Sequence, residues 1–330
     1  GEGGGAMRPL LLKGHERPLT FIKYNHEGDL FVSCAKDKHP TLWYSETGER
    51  VGTYLGHEGA TWSCDITRDS QFLYTASADC TVRKWELQTG KELHRWKYQV
   101  PCRSTDLALG EERLLITTDT FMRKASAVRV LKLGNPGTAE DDEVLTIEGK
   151  HHGRITRAIW GPLNKTIITV GEEGKVRKFD TETQQQLAEE DIHDLQVNSL
   201  SVDRDRTHFM TVSSDKKAKI FDIDSLKCLK EYVADRPLNG GDMSPLMPHV
   251  CVGGGQDAAA VTTTAGQAGK FEACFFHKMY EEEFGHVKGH FGPLNFIAFH
   301  PDGRSFCTGG EDGYVRIHHM DPNYFTERWV

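Results

Sequence analysis

Two short runs in which apolar and polar positions alternate, residues 61–66 (TWSCDI) and 72–77 (FLYTAS), stand between clusters of turn residues. Period-two alternation over so short a run marks a strand with one face buried. Gly56 and His57 precede the first run, Asp79 lies 22 residues after His57, and Trp85 follows six residues later. The spacing predicts strand, turn, strand, tight turn, strand. It also predicts that His57, Ser77, Asp79 and Trp85 form a hydrogen-bonded chain. That chain would staple the entry loop of a four-stranded sheet to its inner hairpin turn. Such a network, when every member is satisfied, is worth more than its separate bonds.

The interval recurs. His15–Asp37, His151–Glu173, His193–Asp215 and His290–Asp312 are each 22 residues apart, and Trp43, Phe179, Phe221 and His318 sit six residues beyond. Lys97–Asp119 and Asp235–Asp257 keep the interval with a substituted first member. These seven anchors resemble the GH…WD repeat of the WD-repeat family, four strands to a unit. The dipeptide itself is never intact; Trp85-Glu86, Phe179-Asp180 and Phe221-Asp222 are its nearest forms. The expected fold is all-β, a seven-bladed propeller over residues 7–320, with 1–6 (GEGGGA) a disordered lead or tag remnant and 321–330 a tail. The apolar strand at 8–13 precedes His15 as residues 53–55 precede His57. It should therefore join the last blade and close the ring without a long open edge. The full staple is expected in blade two alone. Blade three delays its tryptophan equivalent to Leu131 and adds an acidic loop at 134–143. Blade six carries an insert at 258–270 that displaces its third strand.

Composition and charge change this picture only by exclusion. A net charge of −8 argues against the whole molecule being an electrostatic partner of nucleic acid, and no sequence-specific nucleic-acid binding is expected. The eight cysteines show no CxxC spacing and read as reduced, buried thiols of a cytoplasmic protein. No apolar run approaches the roughly 20 residues of a membrane helix. Neither GxSxG nor HExxH occurs, and no Gly-Lys-Ser/Thr follows Gly253-Gly254-Gly255. Five of the 16 histidines are already used as anchors. No enzyme, cofactor or metal is expected; function should lie on surfaces that bind other chains.

A closer resemblance rests on particular segments: GGGQD and VTTT within 253–264, GKFEA at 269–273, GHFGP at 289–293 and GGEDGYVRIHH at 309–319. With the opening MRPLLLKGHERPLTF from residue 7 and AIWGPLNKTI at 158–167, the chain resembles the subunit i family of eukaryotic translation initiation factor 3 from residue 7 onward. Its tail, ending TERWV, departs from the more acidic aromatic endings common in that family. The resemblance implies a non-catalytic scaffold within factor 3 on the small ribosomal subunit, supporting its recruitment, messenger RNA binding and scanning. It further implies that the propeller holds a C-terminal helix of subunit b near blades five and six and engages subunit g. On that flank the sequence offers the carboxylates Asp222, Asp224 and Asp235 to a cationic partner. The competing reading is an adaptor of another complex, such as a ubiquitin-ligase substrate receptor. The nearest form here of its Trp-Asp-x-Arg blade ending, Trp85-Glu86-Leu87-Gln88, lacks both the Asp and the Arg.

Overall fold

The computed structural model describes residues 9–134, 143–255 and 271–326. They form seven four-stranded antiparallel sheets. Blades one to six take their strands in chain order, beginning with the innermost strands Leu19–Tyr24, Thr61–Ile66, Cys102–Leu107, Ile155–Trp160, Val197–Val202 and Leu238–Met243. Blade seven combines Leu294–Phe299, Ser305–Gly310 and Tyr314–His319 with Leu10–Lys13 as its outermost strand. Leu10 faces Ile317 and Lys13 faces Tyr314, so the chain's beginning is hydrogen-bonded to its last blade. The third strand of blade six is Glu272–His277, and Leu131 faces Leu114 as Trp85 faces Leu73. Residues 1–8, most of the 134–143 loop, the 258–270 insert with Asp257, and the last four residues lie outside the described residues.

The core lies between blades. The second strands Leu30–Ala35, Phe72–Ser77, Arg113–Thr118 and Thr166–Gly171 are buried at every position after the first, because each has a neighbouring blade on both faces. Outermost strands such as Gln186–Asp191 are mostly exposed and polar. The four strands of a blade thus pass from continuous apolar runs to charged edges, which also discourages strand addition at the rim.

Blades share no backbone ladder with one another, so side chains must fix their register. Every innermost strand carries a bulge after its first residue. A bulge re-aims the side chain it displaces, and here the displaced second residue points toward the next blade. Thr20 donates to Thr61 O at 2.5 Å, Thr156 to Val197 O at 2.8 Å, Asn198 to Leu238 O at 2.7 Å, Asn239 to Leu294 O at 2.9 Å and Asn295 to Leu19 O at 2.9 Å. The last of these sews blade seven to blade one. In blades two and three the same position holds Trp62 and Arg103, whose guanidinium lies 4.3 Å over the indole. Their junctions are sewn at the other end of the innermost strands. There Asp65 accepts the Leu107 N–H at 2.7 Å and Asp106 accepts the Trp160 N–H at 2.8 Å. Asp242 makes the equivalent bond to Phe299 N at 2.8 Å.

The ordered chain does not stop with the propeller at residue 320. Pro322–Phe325 form a short 3-10 turn capped by Asp321, and the Tyr324 hydroxyl meets His249 Nδ1 of blade six at 2.6 Å. The first tail residues therefore fold back across blades seven and six.

Candidate functional site

Each His–Asp pair bridges an entry loop to an inner hairpin. In blade two, His57 Nδ1 lies 2.8 Å from Asp79 Oδ2, which also accepts the Glu58 N–H at 3.0 Å. The structure brings His57, Asp79 and Trp85 together but puts Thr75, not Ser77, between the imidazole and the indole. His57 Nε2 is 2.7 Å from Thr75 Oγ1, to which Trp85 Nε1 donates at 2.9 Å. Ser77 instead donates to Gly59 O at 3.0 Å. The network fixes the tautomer: Nδ1–H donates to the carboxylate, the threonine hydroxyl donates to Nε2, and the indole donates to the threonine oxygen. Burial lowers the imidazole's pKa against the pull of Asp79, so the ring is neutral. Burial pushes the Asp79 carboxyl up, but the hydrogen bonds from His57, Thr81 and Glu58, with the charge of His57, outweigh it. That carboxyl lies well below its usual range.

The same chain is complete in blade one, through His15, Asp37, Ser33 and Trp43, so blade two is not alone. In blade seven His290, Asp312 and Thr308 repeat it, with His318 Nε2 meeting Thr308 at 3.0 Å in place of an indole. Blade four inverts it. Arg177 takes Glu173 and also donates to His151 Nδ1 at 2.7 Å, so His151 must donate through Nε2 to Thr169. Phe179 brings no N–H there, which leaves the threonine oxygen open to accept. The missed member was legible. Four residues before each acidic anchor of a histidine-bearing unit stands a hydroxyl: Ser33, Thr75, Thr169, Thr211 and Thr308.

The substituted anchor of blade three is a coincidence of spacing. Asp119 N donates to Pro101 O just as Ala78 N donates to Ala60 O, placing Asp119 one residue ahead of the staple position. Its carboxylate accepts from Arg103 at 2.8–3.0 Å and lies 3.4 Å from Arg154. In blade six, Gly255 N donates to Pro237 O, so the staple position falls at residue 256, outside the described residues.

On the flank of blades five and six the three carboxylates differ. Asp222 caps its turn, accepting from Ser225 N at 2.7 Å and Ser225 Oγ at 2.6 Å. Asp235 is held by Arg236, with Nε 2.5 Å away. Asp224 points outward with its side chain 79% exposed; Lys178 donates to its backbone oxygen at 2.7 Å and stands 3.7 Å from its carboxylate. Beside them, Leu229 and Val233 of the outermost strand of blade five are exposed, as are Met279 and Tyr280 in the third-to-fourth-strand turn of blade six. Lys230 and Tyr232 donate to Met279 O and Lys278 O, which ties the strand to the turn. No group of three or more metal-ligating side chains occurs among the described residues, and no helix there is long and apolar enough to cross a membrane.

The EIF3I family model matches residues 7–329. This chain belongs to the EIF3I family, subunit I of eukaryotic translation initiation factor 3. The Taeniopygia guttata subunit is 46% identical over 319 residues, covering 97% of this chain and 98% of that protein. The Homo sapiens subunit is 44% identical over the same shares, and the Schizosaccharomyces pombe subunit 44% over 98% and 100%. EIF3I membership makes the propeller a non-catalytic component of factor 3. The His–Asp chains, which would attract attention as candidate dyads, are structural staples of an EIF3I ring.

Proposed function

We propose that this propeller is a scaffold that holds a C-terminal helix of subunit b across the outer flank of blades five and six. It also engages subunit g, in a cytoplasmic factor 3 assembly that supports small-ribosomal-subunit recruitment, messenger RNA binding and scanning. Family membership supports the assembly. The observation that carries the docking site is the apolar exposure on that flank, Leu229 and Val233 on the outermost strand of blade five and Met279 and Tyr280 in a turn of blade six, with Asp224 facing outward from blade five. An amphipathic helix takes most of its affinity from its apolar face laid on an apolar surface, while a rim carboxylate steers approach and fixes register.

The test is a titration of the isolated subunit b helix against the full chain. Val233→Asp should weaken binding most. Asp224→Lys should weaken it about fivefold at low salt, with the gap closing as salt rises. Asp235→Lys should do less, because that carboxylate is held by Arg236. Unchanged affinity in both Val233→Asp and Asp224→Lys would move the helix elsewhere on the ring.

A further inference from the structure

The central channel contains a buried cation with no ionic partner among the described residues. Arg157, the third residue of the innermost strand of blade four, is 9% exposed. Its guanidinium lies 3.8 Å over the Phe21 ring and 5.7 Å from that of Phe296. Among the described residues its one hydrogen bond is from Nη1 to Ser63 Oγ of blade two, at 3.0 Å across the channel. The nearest carboxylates are otherwise engaged, Asp65 with Lys23 at 3.1 Å and Asp106 with Arg206 at 3.1 Å. Burial lowers the guanidinium pKa to about 10, more than those carboxylates raise it. A buried charge of this kind is retained only where something compensates it.

Arg157 lines a cavity of about 370 Å³ at one mouth of the channel. Two further polar groups of residues that line this cavity also lack a partner among the described residues: the indole N–H of Trp62 and the hydroxyl of Ser199, a residue only 3% exposed. Trp62 and Arg103 occupy the two positions on the mouth whose counterparts sew blades together. Here they are released from that duty and stack on each other instead. The other cations that line the cavity are held by carboxylates, Arg103 and Arg154 by Asp119 at 2.8 and 3.4 Å and Lys36 by Glu311 at 3.6 Å, whereas Arg157 has none among the described residues. The cavity on the other side of Arg157 is lined by Asp106 and Asp242, which repel anions.

We propose that the channel mouth binds an oxyanion on Arg157, with the Trp62 indole N–H and the Ser199 hydroxyl as further donors. A guanidinium offers paired donors to a phosphate or carboxylate, and removal from water strengthens each bond. The same chemistry is presented by free phosphate and by a phosphorylated side chain entering the mouth.

Thermal melts of the full chain would be followed at fixed ionic strength, in potassium chloride with and without inorganic phosphate. A parallel series would use N-acetyl-phosphoserine amide. Stabilisation by phosphate in the parent identifies a free-anion site; stabilisation by the phosphoserine amide alone identifies a side-chain site. In either case Arg157→Gln should weaken the apparent affinity at least about tenfold, since it deletes the charge-assisted bonds. Trp62→Phe, which removes the indole N–H but keeps an aromatic ring under Arg103, should weaken it several-fold. If neither ligand raises the melting temperature, or if both variants respond as the parent does, the proposal is overturned.

Discussion

The junctions of blades two, three and four differ from those that run from blade four round to blade two. Around the larger arc, an amide or hydroxyl on the second residue of each innermost strand donates to the next blade at the channel mouth. Between blades two and three and between three and four those donors are missing, and carboxylates at the opposite end accept backbone N–H groups instead. Every junction needs some bond to set its register, but the ring is indifferent to which end supplies it. Where the mouth is relieved of that task, it carries an aromatic–guanidinium pair and the unpartnered donors described above.

The carboxylate junctions also differ among themselves. Asp65 and Asp106 each hold a cation, Lys23 and Arg206, whose pKa values they raise. Asp242 makes the same backbone bond, yet no ion pair to it is found among the described residues, and burial pushes its pKa up to about 6. A carboxylate stitch is thus robust when its charge is balanced and pH-sensitive when it is not.

Asp106→Ala should break the comparison most severely, since it removes the carboxylate that accepts the Trp160 N–H at the third junction and leaves Arg206 without its anion, although the Asn164–Leu109 bonds remain. A loss of about 3 kcal/mol is expected, in the range for removing one member of a largely buried pair. Chemical denaturation would read it, and a loss below that of Asn295→Ala would show that the carboxylate junctions are not the dominant ones. Asp242→Asn should have the opposite sign at neutral pH. Because the folded pKa is raised above the ordinary carboxylate value, the group favours the native state most at low pH. That contribution is lost as pH rises from about 4 through about 6. The asparagine variant should therefore be more stable than the parent by about 2–3 kcal/mol at pH 8, and the difference should vanish near pH 4. A pH-independent difference between the two proteins would contradict the assignment. Asn295→Ala should have the smallest effect, about 1 kcal/mol for one lost hydrogen bond at the closing junction. Equal losses in Asn239→Ala and Asn295→Ala would show that closure places no special demand on its own stitch.

The staples show where sequence reading reached its limit. His57, Asp79 and Trp85 were paired by spacing alone, because a hairpin of fixed length puts them at one end of one sheet. Ser77 and Thr75 lie two residues apart, on the same face of one strand by simple alternation. Which of them meets the imidazole depends on how the entry loop descends onto the sheet, and that position belongs to Thr75. The interval from Lys97 to Asp119 likewise fits the count but not the register. Its true offset emerges only from the backbone bond to Pro101.

By itself the sequence determined the all-β class, seven repeating units, the displaced third strand of blade six and the closure of the ring through its first strand. These follow from local alternation and from intervals within one hairpin, where physical neighbours are also neighbours in the chain. The tertiary structure alone decided the channel. Arg157 reaches Ser63 from 94 positions away, and Asn295 reaches Leu19 from 276. Such contacts arise because closing the ring brings together innermost strands from blades far apart in the chain, and no periodicity within a blade encodes which of their side chains will meet.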